Sequence, residues 1–226
     1  MIILHCTLRK DWEKALEIGK YGEEYIVKNG GIPCFEIDKV TNENFSFPSI
    51  MDYIILCIDT DRLLEGTEVK FESSNLDENN PTANRVSIFG TINTDAVISA
   101  ITYTVDENDH FLMNDELKDM GIINEILQHL NIKYSSHQYF KDGSFSRTIF
   151  LNEEYIVKQN TPELLKSEVL FSKENTHPKL QHVVYYDPEY RYIVYQYIPG
   201  IVMHNVEDFD DLLANILEIT KSYADY

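Results

Sequence analysis

Four features in the second half of the chain are of types that could do chemistry together. Gly143, Ser144, Phe145 and Ser146 follow Lys141 and Asp142 in a short polar stretch between two apolar segments. A tight loop of this kind can aim backbone N–H groups and small hydroxyls at anionic oxygens. Lys158 closes the apolar run Tyr155, Ile156, Val157, which sets an ammonium at the end of a strand. Glu168 lies four residues after Leu164 and three before Phe171. On a helix it therefore shares their face, where a carboxylate is costly unless paired. Lys158 is the obvious partner. Finally, the apolar run of residues 193–198 breaks at Pro199-Gly200, the layout of a hinge. Each feature alone also has a plain structural reading: a hairpin turn, a solvated lysine, a helix-edge glutamate, a strand end.

The elements that must position these residues follow from periodicity. Strands are expected at 133–140, 147–151, 155–159, 182–186 and 191–197. Between the third and fourth, Thr161 caps a helix running to about residue 174, with Pro162 at its first position, where a missing N–H costs nothing. A last helix is expected at 212–223, preceded by the acidic cap Asp208, Asp210 and Asp211. Ahead of the strands, residues 114–130 form an amphipathic helix with Leu117, Met120, Ile123, Leu127 and Leu130 on one face and Asn114 as its N-cap. The boundary between two modules is placed at residue 113. The first module, 1–113, reads as a strand at 2–6, a helix at 10–18 stopped by Gly19, a turn at Asn29-Gly30-Gly31 and a second helix at 36–44. Strands follow at 53–58, 68–71, 86–89 and 97–105, with a polar loop at 73–84. The fold class is α+β, with a largely antiparallel sheet in the first module and a five-stranded antiparallel sheet with one main helix in the second.

The ordered set of loop, lysine, glutamate and hinge resembles the N-terminal lobe of the aminoglycoside phosphotransferase and choline kinase superfamily, over residues from about 117 to 226. The resemblance implies an ATP-binding lobe, with magnesium accompanying the nucleotide. Gly143, Ser144 and Ser146 would then meet phosphates, Lys158 would hold them, and Glu168 would orient Lys158. The backbone of Gln196, Tyr197 and Ile198 would line the adenine. The same family carries a His-Gly-Asp-type catalytic loop and magnesium ligands in its second lobe. Here none of the seven histidines is followed two residues later by aspartate, and the chain is expected to end inside the start of that lobe. Binding without phosphoryl transfer is the expectation, and no catalytic residue is assigned.

In the first module, Ile3-Leu4-His5-Cys6-Thr7, Asp11-Trp12, Gly31-Ile32-Pro33-Cys34, Leu56-Cys57-Ile58-Asp59, Ile88-Phe89-Gly90 and Asp95-Ala96-Val97 fall in a characteristic order. That order resembles the bacterial family catalogued as domain of unknown function 952, which has a minimal ADP-ribosyltransferase-like fold. The resemblance implies NAD as a ligand and His5 as a binding residue. The blander reading of His5 is a hydrogen-bonded histidine at a strand end. Pro33 and Ser87 stand where that family usually has histidines, and neither can act as an acid–base group near neutral pH. An alternative to the kinase-like reading is therefore a degenerate NAD-binding or interaction module.

Composition narrows the partners. The net charge is −19, with 25% charged and 43% hydrophobic residues. Such a surface repels nucleic acid and anionic membranes, and suits cationic partners such as an aminoglycoside-like acceptor, unless it serves only solubility. A protein partner or oligomer is also open. Cys6, Cys34 and Cys57 form no CxxC pair and read as reduced, buried thiols of a cytoplasmic protein. There is no HExxH, zinc-type spacing or GxSxG.

Overall fold

The computed structural model describes residues 1–40, 47, 51–72, 85–108, 110–140, 146–175, 180–199, 213–214 and 216–217. The chain divides into two units, Met1–Tyr134 and Ser135–Tyr226. The fold is α+β in both.

In the first unit the elements are β1 (Ile2–Leu8), α1 (Arg9–Ile18), β2 (Lys20–Tyr21), α2 (Glu23–Asn29), β3 (Ile32–Glu36), β4 (Tyr53–Asp59), β5 (Glu68–Glu72), β6 (Arg85–Phe89), β7 (Ile92–Asn93), β8 (Val97–Thr102) and α3 (Asp115–Leu130). Six strands form one antiparallel sheet in the order β5-β6-β3-β1-β4-β8, and β2 pairs with β7. Alternation along the strands splits the apolar side chains between two faces. Ile3, Ile32, Cys34, Ile54, Leu56, Ile58, Val86 and Ile88 pack on one side with Trp12 and Ala15 of α1. Ile2, Leu4, Cys6, Ile55 and Cys57 are buried on the other. There α3 lies against β1, and the Ile2 N–H donates to Asn124 Oδ1 at 2.8 Å.

Helix α3 is capped as its sequence requires. Asn114 Oδ1 accepts from the Leu117 N–H at 2.9 Å, and Asn131 closes the far end in the left-handed conformation, φ 52°. Its apolar side chains Leu117, Met120, Ile123, Ile126 and Leu127 are buried. They bury against the first sheet's unit, so the compact units separate at 134/135 rather than at the expected boundary of 113. A second difference concerns residues 36–44, expected as a helix. Residues 32–36 are instead strand β3, followed by a 3-10 turn at Ile37–Lys39, while residues 41–44 lie outside the described residues. Pro33 masked that strand, because a residue without an N–H argues against a place inside a sheet.

Next to Pro33, a side chain of β1 takes over a backbone contact. β1 meets β3 at Ile3↔Glu36 and Leu4↔Phe35. Just beyond, the Pro33 carbonyl lies 2.7 Å from His5 Nδ1. A carbonyl only accepts, so Nδ1 carries the proton. Nε2 then accepts from the Tyr21 hydroxyl at 2.9 Å, and the Tyr21 oxygen shares a second hydrogen bond with Thr7 Oγ1 at 2.8 Å. Tyr25 adds an edge-on ring contact to His5. Burial lowers the His5 pKa from 6.5 to about 4, against the opposing pull of the Pro33 carbonyl.

The second unit is built from β9 (His137–Tyr139), β10 (Arg147–Leu151), β11 (Tyr155–Gln159), α4 (Pro162–Glu174), β12 (Val183–Tyr186) and β13 (Tyr192–Gln196). The strands form one antiparallel sheet in the order β12-β13-β11-β10-β9. β9 and β13 are shorter than the strands expected at 133–140 and 191–197, whereas β10 and β11 fall where periodicity put them. Helix α4 buries Leu165 and Val169 against Ile193 of β13. Most of the helix expected at 212–223 lies outside the described residues. Among the described residues, no helix is long and apolar enough to cross a membrane.

Two outcomes test these assignments. A chain cut to residues 1–134 should unfold cooperatively, whereas 1–113 should not, because it strips several side chains each worth about 1.5–3 kcal/mol of burial from the sheet. Equal melting of the two would contradict the placement of α3. Acid stability reports on His5. Between pH 6.5 and about 4 the unfolded chain binds a proton that the folded chain refuses, so stability rises with pH through that window. Urea melts should show about 2 kcal/mol lost from pH 7 to pH 5 that His5→Gln removes. The same loss in both chains would contradict the buried, neutral imidazole.

Candidate functional site

Strand β11 is the middle strand of the second unit's sheet, with β13 on one side and β10 on the other. Lys158 sits opposite Thr148 of β10 and Ile193 of β13, while Ile156 sits opposite Tyr195. Period-two alternation puts Ile156 and Lys158 on one face. That face also carries Ile193, which packs on α4, so the lysine emerges beside the helix.

Helix α4 brings Glu168 to it. Lys158 Nζ donates to Glu168 Oε1 at 2.6 Å. The two side chains are 27% and 31% exposed, so water screens their attraction only in part. The sequence places Glu168 on a shared face with Leu164 and Phe171. Those two residues are half exposed, at 52% and 50%, and the buried stripe is Leu165 and Val169. Glu168 flanks that stripe, which lets its carboxylate reach both the sheet and the solvent.

The pair borders an open cavity of about 800 Å³, lined by Thr148, Ile156, Lys158, Glu168, Phe171 and Tyr195, among others. An ammonium has three donors, and one is spent on Glu168. Two remain for acceptors entering the cavity. Its floor is apolar at Ile156 and hydroxylated at Thr148, and Phe171 offers an aromatic wall.

The remaining expected site residues fall elsewhere. Gly143 and Ser144 lie outside the described residues. Ser146 directly precedes β10 and is half-buried, but does not line the cavity. Gln196 ends β13, and its side-chain amide donates to the Glu154 carbonyl at 3.1 Å. The Tyr197 N–H donates to the same carbonyl at 2.7 Å, which commits it inside the sheet. Ile198 follows, 42% exposed. None of these three lines the cavity. Two residues that do line it, Thr148 and Tyr195, were not singled out from sequence. Thr148 could have been found from hairpin register, since a loop at 152–154 fixes it opposite Lys158. Tyr195 was hidden among six tyrosines in one short segment.

In the first unit, His5 is buried with both ring nitrogens engaged, so it presents no free imidazole nitrogen to a ligand. Pro33 and Ser87 face each other across β3 and β6 and line a hollow of about 460 Å³ with Gly31 and Phe89. That hollow has no acid–base group among these residues. Burial pushes the Cys6 thiol up to about 12 and raises Cys34 and Cys57 further, which leaves all three as inert thiols. Among the described residues, no group of three His, Cys, Asp or Glu side chains could hold a metal ion.

No protein-family profile matches the chain, and no curated protein sequence does. Among solved structures it is similar to protein CC0527 from Caulobacter crescentus, at 16% identity and TM-score 0.42, over 52% of this chain and 99% of that one. A crystal structure of a double mutant of the same protein gives the same figures. The chain is also similar to aminoglycoside phosphotransferase APH(2'')-Ib in its ADP-bound form, at 27% identity and TM-score 0.27. That match covers 37% of this chain and 33% of the other, a third of that protein's length.

Proposed function

We propose that the second unit is a nucleotide-binding lobe of the small-molecule phosphotransferase type, with Lys158 holding the phosphates of ATP. One observation carries the reading: the 2.6 Å pair between Lys158 on the central strand and Glu168 on the one helix, at the edge of a cavity of about 800 Å³. The helix enters between the third and fourth strands of a five-stranded antiparallel sheet. In nucleotide phosphotransferases of this build a strand lysine meets the phosphates and a helix glutamate orients it.

Lys158 suits polyphosphate oxygens as a point charge. Magnesium would arrive with the nucleotide, where it neutralises phosphate charge. The described residues do not supply a ligand set for it, and none is assigned. The reading is one of binding, and no residue of the chain is assigned to phosphoryl transfer. A cationic, hydroxyl-bearing small molecule is the acceptor class that the net charge of −19 favours. The segment Gln196 to Ile198, which lies outside the cavity lining and whose Gln196 and Tyr197 N–H groups go to the His182 and Glu154 carbonyls, is the proposed contact for the adenine edge through its carbonyls and the Ile198 N–H.

Calorimetric titration of the full chain with ATP and magnesium tests this. Lys158→Met should weaken binding by at least about tenfold, the worth of one charge-assisted contact to phosphate. Equal affinity in the two chains would contradict the proposal.

A further inference from the structure

Glu168 has two carboxylate oxygens, and Lys158 uses one. The other, Oε2, accepts a hydrogen bond of 2.6 Å from the Tyr195 hydroxyl. Three elements thus meet at one carboxylate: strand β11 through Lys158, helix α4 through Glu168 and strand β13 through Tyr195.

The two anchors differ in stiffness. A lysine reaches its partner through four rotatable bonds and follows wherever the carboxylate goes. Tyr195 has two side-chain torsions, and its ring packs against the Leu165, Val169 and Ile193 cluster. Its strand position is fixed by pairing with Ile156 of β11. The phenol is therefore held by the sheet, not by the contact it makes. Its proton is secure as well: burial first, then the hydrogen bond and charge of Glu168, hold the Tyr195 pKa above the ordinary phenol value. Throughout the neutral range it donates.

A glutamate on a half-exposed helix face, with Phe171 50% exposed beside it, would otherwise be free to turn toward water. With Oε2 tied to the sheet, Oε1 is left pointing at Lys158.

We propose that Tyr195 is a positioning residue for the phosphate-binding lysine: it fixes Glu168, and through Glu168 it fixes Lys158 Nζ at the cavity edge before any ligand enters. This inference rests on the nucleotide-binding reading above. It adds that the affinity for the polyphosphate end is set partly by a phenol that touches no phosphate.

The test is a double-mutant cycle on the full chain, read as affinity for ATP with magnesium. Tyr195→Phe keeps the ring and removes the hydroxyl, and should weaken binding about tenfold, as the loss of one hydrogen bond to a charged group does. In a Glu168→Gln background the same substitution should change affinity by less than about twofold, because the tyrosine acts through the carboxylate. Equal losses in both backgrounds would overturn the proposal while leaving nucleotide binding intact. Absence of binding in the unsubstituted chain would overturn the nucleotide reading and this inference together. A readout without nucleotide separates the two. In protein labelled at the tyrosine ring carbon bearing the hydroxyl, Tyr195 should ionise above the free-phenol value and shift downward in Glu168→Gln. An unchanged titration would overturn the contact itself, and this arm needs no substitution at Tyr195, so it stands even if Tyr195→Phe fails to fold.

Discussion

A carboxylate set at the seam between a helix and a sheet loses part of its hydration, and partners for its two oxygens offset that loss. In the second unit that compensation organises the local structure. Glu168, 31% exposed, finds a cation on one strand and a hydroxyl on its neighbour, both on the same face. β11 and β13 supply them through Lys158 and Tyr195, and the register that pairs Ile156 with Tyr195 and Lys158 with Ile193 brings them side by side. Lys158 and Glu168 remain 27% and 31% exposed, so water takes up part of what the loss of either partner leaves, and the complete set costs little. The arrangement thus selects one seat for α4 and, in the same act, leaves a lysine with spare donors at the cavity.

The first unit is organised by a different constraint, a proline inside a six-stranded sheet. Pro33 lies in β3, between β6 and β1, where a strand residue would ordinarily donate. The imidazole of His5 takes the Pro33 carbonyl, and Tyr21 and Thr7 extend the hydrogen-bonded chain. A histidine used in this way is a structural hydrogen-bonding group, and burial lowers its pKa against the pull of the Pro33 carbonyl. Pro33 and Ser87, opposite each other in register, line a hollow that these residues do not equip for proton transfer.

Much of this was legible in the sequence where local chemistry decided the outcome. Asn114 announced the start of α3, Thr161 and Pro162 the start of α4, and the polar turn of residues 152–154 fixed β10 and β11 to the residue. The pairing of Lys158 with Glu168 followed from the cost of a lone carboxylate, although the apolar stripe invoked for it was one residue out of phase: Leu165 and Val169 are buried, not Leu164 and Phe171. What failed depended on contacts distant in sequence. β3 hid behind Pro33, whose carbonyl takes a hydrogen bond from the side chain of His5, 28 residues away. Helix α2 has no buried residue, and Val27 is 89% exposed, so no apolar period revealed it. The attachment of α3 to the first unit is a matter of which sheet its apolar face meets, and an amphipathic pattern does not name its partner. Tyr195 lies 27 residues from Glu168 and is legible only once β13 is in register with β11.

The most direct measurement of the central claim is a methyl NMR map of the full chain titrated with magnesium and a non-hydrolysable ATP analogue, with isoleucine and threonine methyls labelled. The methyls of Thr148 and Ile156 line the proposed site beside Lys158, whereas Ile2, Ile3 and Ile54 report on the core of the first unit. The account predicts saturable shifts at Thr148 and Ile156 with the first-unit methyls unmoved. Saturable shifts confined to the first unit, or none at Thr148 and Ile156 at saturating analogue, would contradict it.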